Sequence, residues 1–328
     1  MHIAIIGAAG MVGRKLTASL VRDPMLKPHH VDRMTLWDVL PPEAPSDFHG
    51  RVDCHAADLS EPGQAEKVIA SRPDLIVHLA AIVSGEAELD FDKGYRINLD
   101  GSRALFDAIR VQSLADGYHP RLIFASSIAV YGAPLPYPIP DDYHHTPLTS
   151  YGTQKAISEL LLADYTRRGF FEGIGIRLPT LCIRPGKPNK AASGFFSSIL
   201  REPLVGQEAV LPVPEDVRHW HASPRSAVGF LRHAATLDLQ PLGPRRNLNM
   251  PGVSATVGEQ IEALRRIAGD KAVRLIRREP DDMITQMVQG WAPGFTAQRA
   301  RQLGFTAESS FDEIIRAHID DELNGQLL

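Results

Sequence analysis

The stretch that decides the fold is HIAIIGAAGMVG, residues 2–13. Its first half, HIAIIG, is apolar at successive positions, which suits a strand buried on both faces of a parallel sheet. Gly7, Gly10 and Gly13 follow where such a strand would turn into a helix. At that turn the backbone bends sharply, an anionic group can approach the helix N-terminus, and the helix packs close to the sheet. A Cβ obstructs all of these. The pattern is GxxGxxG, which differs from the commoner GxGxxG.

Further apolar runs recur along the chain as RMTLWD (33–38), LIVHLAA (75–81), RLIFASS (121–127) and GIGIRLP (173–179), separated by helix-like stretches. That alternation specifies βαβ units. The expected fold class is therefore α/β, a doubly wound parallel sheet (Rossmann fold) with a smaller C-terminal mixed α/β substrate domain. Beyond Pro179 the regularity fades into RPGKPNKAASG (184–194) and then the helix-like FFSSILREPL (195–204). The expected division is a dinucleotide-binding domain over 1–179, also receiving part of 218–250, and a substrate domain over 180–328.

The second candidate strand ends in Asp38, 25 residues past Gly13. An acid about 20 residues beyond the glycines accepts hydrogen bonds from an adenosine ribose. A carboxylate there repels a 2′-phosphate, so NAD is expected rather than NADP. Farther along, TSYGTQK (149–155) places Tyr151 and Lys155 four apart at the start of a helical segment. Positions i and i+4 share a helix face, so the phenol and the ammonium can enter one space.

Composition excludes several other classes. The formal charge of −4 over 328 residues gives no long-range pull toward nucleic acid or an anionic membrane. Cys54 and Cys182 are the only cysteines, which provides neither a disulfide framework nor a CxxC pair. The opening MHIAIIG lacks a basic n-region, and the longest apolar stretch, LIVHLAAIV (75–83), is under half of the ~20 residues a spanning helix needs. A cytoplasmic protein is expected. The histidine groups at 29–30, 144–145 and 219–221 have no metal-ligand spacing, so no metal is expected.

Taken together, GAAGMVG (7–13), Asp38, DL (58–59), HLAA (78–81), INLDG (97–101), SSIAVYG (126–132), YGTQK (151–155) and RLPTLCIRPG (177–186) resemble the extended short-chain dehydrogenase/reductase superfamily, which includes the nucleotide-sugar epimerases and dehydratases. The resemblance implies that Tyr151 is the general base for an alcohol and that Ser127, rather than Ser126, holds the substrate oxygen. A free phenol has a pKa near ~10. Lys155 would lower it by its charge and would also bind the nicotinamide ribose. The cofactor set implied is Gly7, Gly10, Met11, Val12, Gly13, Asp38, Asp58, Leu59, Leu79, Ala80, Ala81, Asn98, Tyr151, Lys155 and Pro179. In this reading Asn98 and Arg177 are structural, and His78 is a buried polar residue satisfied by a neighbour. The resemblance also implies a homodimer, through the helix carrying Tyr151 and AISELLLADYTRR (156–168).

Nucleotide-sugar enzymes carry a segment like RDFxHVDD, whereas this chain has VRHWHASPRSAV (217–228), with Pro224 and Arg225 in place of the paired acids. The region from 184 onward is similar to that of the D-erythronate dehydrogenases, a branch that oxidises four-carbon sugar acids at C2 with NAD. The implied substrate is D-erythronate, giving 2-dehydro-D-erythronate. Guanidinium groups bind carboxylates through paired hydrogen bonds, so Arg225, Arg218, Lys187, Lys190, His219 and His221 are candidates for its carboxylate, with Arg225 and His221 preferred. Ser84 and Glu86 are candidates for its hydroxyls. A nucleotide-sugar epimerase or dehydratase is the alternative, and a non-catalytic dinucleotide-binding sensor is a remote one.

Overall fold

The computed structural model describes residues 1–186 and 192–327. The chain falls into two units. One comprises Met1–Ser127, Thr149–Arg177 and Val228–Leu248, and the other Ile128–Leu148, Leu178–Ala227 and Asn249–Leu328.

The first unit is built on a seven-stranded parallel sheet. Its strands are β1 (His2–Ile6), β2 (Arg33–Asp38), β3 (Arg51–Ala56), β4 (Leu75–His78), β5 (Arg121–Ser127), β6 (Glu172–Leu178) and β7 (Asn247–Asn249). They lie in the order β7-β6-β5-β4-β1-β2-β3. β1 pairs in parallel with β2 on one side and with β4 on the other, Ile6 standing level with Trp37 and with His78. The chain therefore reverses its direction of travel across the sheet at β1. Ligands of open α/β sheets bind outside the carboxyl ends of the strands at such a switch point, where the glycine turn lies.

Helices α1 (Met11–Arg22), α2 (Gln64–Ala70), α3 (Gly101–Asp116) and α4 (Ser150–Arg167) connect the strands. Leu105, Phe106 and Ile109 of α3, Leu162 of α4 and Phe124 of β5 are buried in one cluster with Phe171. Strand β3 is absent from the apolar runs because it forms the sheet edge: every residue of RVDCHA is half-buried or exposed, and Arg51 and Asp53 pair on it. Residues 247–249 add the strand at the other edge, which follows from the return of 228–248 to this unit.

The second unit has a three-stranded sheet in which Arg218–Ala222 runs antiparallel to Val253–Thr256 and parallel to Thr180–Leu181. Helix Val257–Val273 starts on a capping box between Thr256 and Glu259. Phe196, Ile199, Leu200, Leu264, Phe311 and Ile314 lie in its core. Residues 128–148, expected within the first domain, belong here instead. Their backbone bonds explain this: Ala133 N donates to Gly290 O at 3.1 Å, and Ile139 exchanges bonds with Gly294 and Thr296 at 2.9 and 3.0 Å.

Candidate active site

The glycine turn follows β1 directly. Gly7 has φ +91°, a left-handed conformation, and a Cβ on it would lie 2.7 Å from Ala80 N and 2.9 Å from Leu79 C. A Cβ on Gly13 would come within 2.2 Å of Gly7 O. Gly10 caps α1 without a side chain, leaving the first-turn N–H groups at Met11, Val12 and Gly13 facing outward from the turn. The backbone is thus stripped of side chains where a pyrophosphate would approach, and the helix N-terminus favours its charge. These residues fit a dinucleotide.

Asp38 stands at the end of β2 and is bound to the turn. Its Oδ2 accepts from Ala9 N at 2.9 Å and its Oδ1 from Leu40 N at 3.1 Å. Each oxygen keeps a further lone pair for a ribose hydroxyl. Asp58 accepts from Ser60 N at 2.9 Å, Ser60 Oγ at 2.6 Å and Arg96 at 3.0 Å. Burial pushes its pKa up, but the bonds from Ser60 and Arg96 outweigh burial and hold it below the ordinary value. Leu59 beside it is buried.

Helix α4 begins at Thr149, whose Oγ1 accepts from Gly152 N at 3.0 Å. Its first turns carry Tyr151, half-buried, and Lys155, only 2% exposed. Lys155 Nζ donates to Ala125 O at 2.8 Å and lies 4.7 Å from the centroid of the Phe124 ring and 5.8 Å from that of Tyr151. Burial lowers its pKa to about 8, and the negative charge of Glu159 limits the fall. Ser127 ends β5, half-buried, whereas Ser126 is buried and donates to Glu159 Oε1 at 2.5 Å. Of the two serines, Ser126 has its hydroxyl committed to the interior.

A polar layer lies behind these residues. His78 Nε2 meets Ser102 Oγ at 3.0 Å, and Ser102 Oγ donates to Asn98 O at 2.7 Å. The serine's single proton is spent on the carbonyl, so His78 must donate from Nε2. Burial first and the Lys155 charge second push its pKa down to about 3, so it is neutral. Asn98 sits in a π-helical turn, Tyr95–Asp100, a rare conformation frequent at functional sites. Its Oδ1 accepts from Ile82 N at 2.9 Å, and its Nδ2 donates to Gln154 Oε1 at 2.7 Å. Asn98 therefore ties the loop after β4, which carries Leu79, Ala80 and Ala81, to helix α4. Ser84 and Glu86 follow on helix Ser84–Leu89, where Glu86 pairs with Lys93 at 2.5 Å.

The described side chains expected to meet a carboxylate in the second unit are already engaged within the chain. His221 is 0% exposed, its Nε2 is 3.1 Å from Gln260 Nε2, and its ring lies edge-on to Phe196 and Phe311. Its Nε2 is engaged in the interior, and its Nδ1 is buried without a hydrogen-bond partner among the described residues. Arg225 is held by Asp321 at 2.7 Å and Asp320 at 3.5 Å, so its guanidinium already binds carboxylates of its own chain. His219 is buried between Phe196 and Trp291 and bonded to Thr180 Oγ1 at 2.7 Å, while Arg218 pairs with Glu259 at 3.2 Å. Pro179 is buried just after β6. Lys187 and Lys190 lie outside the described residues. Among the described residues, no group of His, Cys, Asp and Glu could hold a metal, and no helix is long and apolar enough to cross a membrane.

Sequence reasoning missed Glu159, Ser102 and Gln154. Glu159 had a readable signal, since Tyr151, Lys155 and Glu159 stand at i, i+4 and i+8 on one helix face.

Residues 3–221 match the NAD dependent epimerase/dehydratase family. A D-erythronate dehydrogenase of Cupriavidus necator is 45% identical over 98% of both chains. One of Haemophilus influenzae is 40% identical over 98% of this chain and 100% of that one. A crystal structure described as a nucleoside-diphosphate-sugar epimerase from Agrobacterium tumefaciens is 75% identical and superimposes with a TM-score of 0.98, covering 100% of this chain and 96% of that one.

Proposed function

From the premise that the chain belongs to the NAD-dependent epimerase/dehydratase family, we propose that it is an oxidoreductase that takes D-erythronate to 2-dehydro-D-erythronate at C2, using NAD. The observation that carries this reading is the pair of D-erythronate dehydrogenases aligned over nearly the whole chain at 45% and 40% identity. The placing of Tyr151 and Lys155 in the first turns of α4, with Lys155 Nζ bound to Ala125 O two residues before Ser127 on β5, supports it.

The dinucleotide would lie on Gly7, Gly10, Met11, Val12 and Gly13, with its adenosine ribose at Asp38, and when bound it supplies the hydride acceptor. Asp38 supports NAD over NADP, since a carboxylate at the adenosine ribose would repel a 2′-phosphate. Ser127 holds the C2 hydroxyl. Tyr151 takes its proton, and the charge of Lys155 favours the phenolate that does so.

A second reading, nucleotide-sugar epimerisation, is favoured by the name of the 75% identical structure. Against it stand Pro224 and Arg225 where nucleotide-sugar enzymes carry paired acids. The two readings differ in one product. Purified protein is incubated with NAD or NADP and a panel of sugar acids and nucleotide sugars, and NADH absorbance is followed. Net NADH from D-erythronate, reduced roughly 100-fold or more in Tyr151→Phe, is the expected result. Conversion of a nucleotide sugar with no NADH from any acid would overturn it.

The reading includes a cytoplasmic homodimer. The exposed Val111 and Leu114 of α3 and Leu160 of α4 are apolar surface suited to a second copy. Light scattering that returned a monomer mass would remove the dimer.

A further inference from the structure

Two consecutive rungs of helix α4 grip two consecutive residues of β5. Lys155 Nζ binds Ala125 O at 2.8 Å, and Glu159, one turn farther on, accepts from Ser126 Oγ at 2.5 Å. The next residue along β5 is Ser127. Glu159 is 0% exposed, and its carboxylate is itself locked by Arg177, whose Nε lies 2.9 and 3.1 Å from the two oxygens and whose terminal nitrogen lies 2.7 Å from Oε2. A buried carboxylate given this many donors stays ionised.

We propose that Glu159 is a positioning residue for the Tyr151–Lys155 pair, fixing the strand end that carries Ser127 and supplying the buried negative charge that keeps Lys155 protonated. This rests on the oxidation read above. The negative charge that acts on Lys155 is that of Glu159. Tyr151 and Glu159 share its helix, His78 of β4 is neutral, β5 offers Phe124, Ala125 and Ser126, the π-helical turn offers Asn98, and Arg177 of β6 is cationic. The fall of the Lys155 pKa on burial is opposed by Glu159. Without Glu159 the ammonium would lose its proton at lower pH, and the phenol would lose its assistance there.

The test titrates Lys155 by NMR in protein labelled only at lysine, its signal assigned by its loss in Lys155→Met. Wild type is compared with Glu159→Gln and, in case Arg177 left alone prevents folding, with the apolar double variant Glu159→Leu/Arg177→Met. The midpoint is expected to move to lower pH by about one unit, and the alkaline limb of kcat/KM against pH is expected to move with it. A merely structural role would lower stability and leave both where they are. An unchanged Lys155 midpoint in a folded variant overturns the proposal. The titration needs no substrate, so it decides even if every sugar acid fails as one.

Discussion

Each unit buries ionisable side chains, and two clusters, one in each unit, treat them in opposite ways. In the first, Lys155, Glu159 and Arg177 lie inside and keep charge, because each acid or base has a partner of opposite sign or a backbone acceptor within hydrogen-bond reach. In the second, His219 and His221 lie inside among Phe196, Trp291 and Phe311, and burial first, with the Arg184 charge behind it, drives both toward the neutral form. The difference teaches that burial by itself does not mark a site. Burial with a charge partner preserves a group that can act on a proton; burial among rings turns an imidazole into core.

The largest effect should come from breaking the charged pair. Arg177→Met leaves Glu159 buried with its main partner gone and should cost about 3–5 kcal/mol in urea unfolding, whereas adding Glu159→Leu should restore most of it. Equal losses in the single and double variants would mean that the pair is not what the first unit's interior depends on.

The uncharged histidines should appear as an acid sensitivity. The folded pKa of His219 is lowered to about 4, first by burial, while its unfolded value is near 6.5. Between those values the unfolded chain binds the additional proton, so the contribution of His219 is complete above about 6.5 and is lost as pH falls toward 4. The loss is about 3 kcal/mol at most. His219→Phe should keep the stacking with Phe196 and flatten that part of the stability profile, measured by thermal unfolding across the window. A profile of unchanged slope would show that His219 is not buried neutral.

The smallest effect belongs to Arg225→Ala. Its pairs with Asp320 and Asp321 are half-exposed, and such pairs contribute about 0.2–1 kcal/mol. KM for the acid should hardly change. A large rise in KM would restore the role that the ion pairs deny it.

The site was legible in proportion to how local its chemistry is. Gly13 could be read because a Cβ there would meet Gly7 O and Ala8 within the same turn, whereas Gly7 is required by its left-handed φ and by the approach of Leu79 and Ala80. Tyr151 and Lys155 could be read because helix periodicity alone puts them on one face. His221 and Arg225 could not. Their residue types suit a carboxylate, but whether such a group faces solvent, a ring or Asp321 depends on segments 25 to 96 residues away along the chain, from the contact of His221 with Phe196 to the pairing of Arg225 with Asp321. The assignment of 128–148 failed for a similar reason, since its backbone partners lie at 290–296.

The sequence by itself therefore determined the doubly wound sheet, the glycine turn after β1, the acid at the end of β2 and the spacing of the phenol and ammonium, because strand burial, the glycine–glycine contacts of one turn and helix periodicity act over a few residues. Only the tertiary structure decided which of two adjacent serines was committed to Glu159, which acid accompanies Lys155, and that the histidines of 219–221 are core. Those outcomes depend on desolvation and on partners that only folding brings within hydrogen-bond distance.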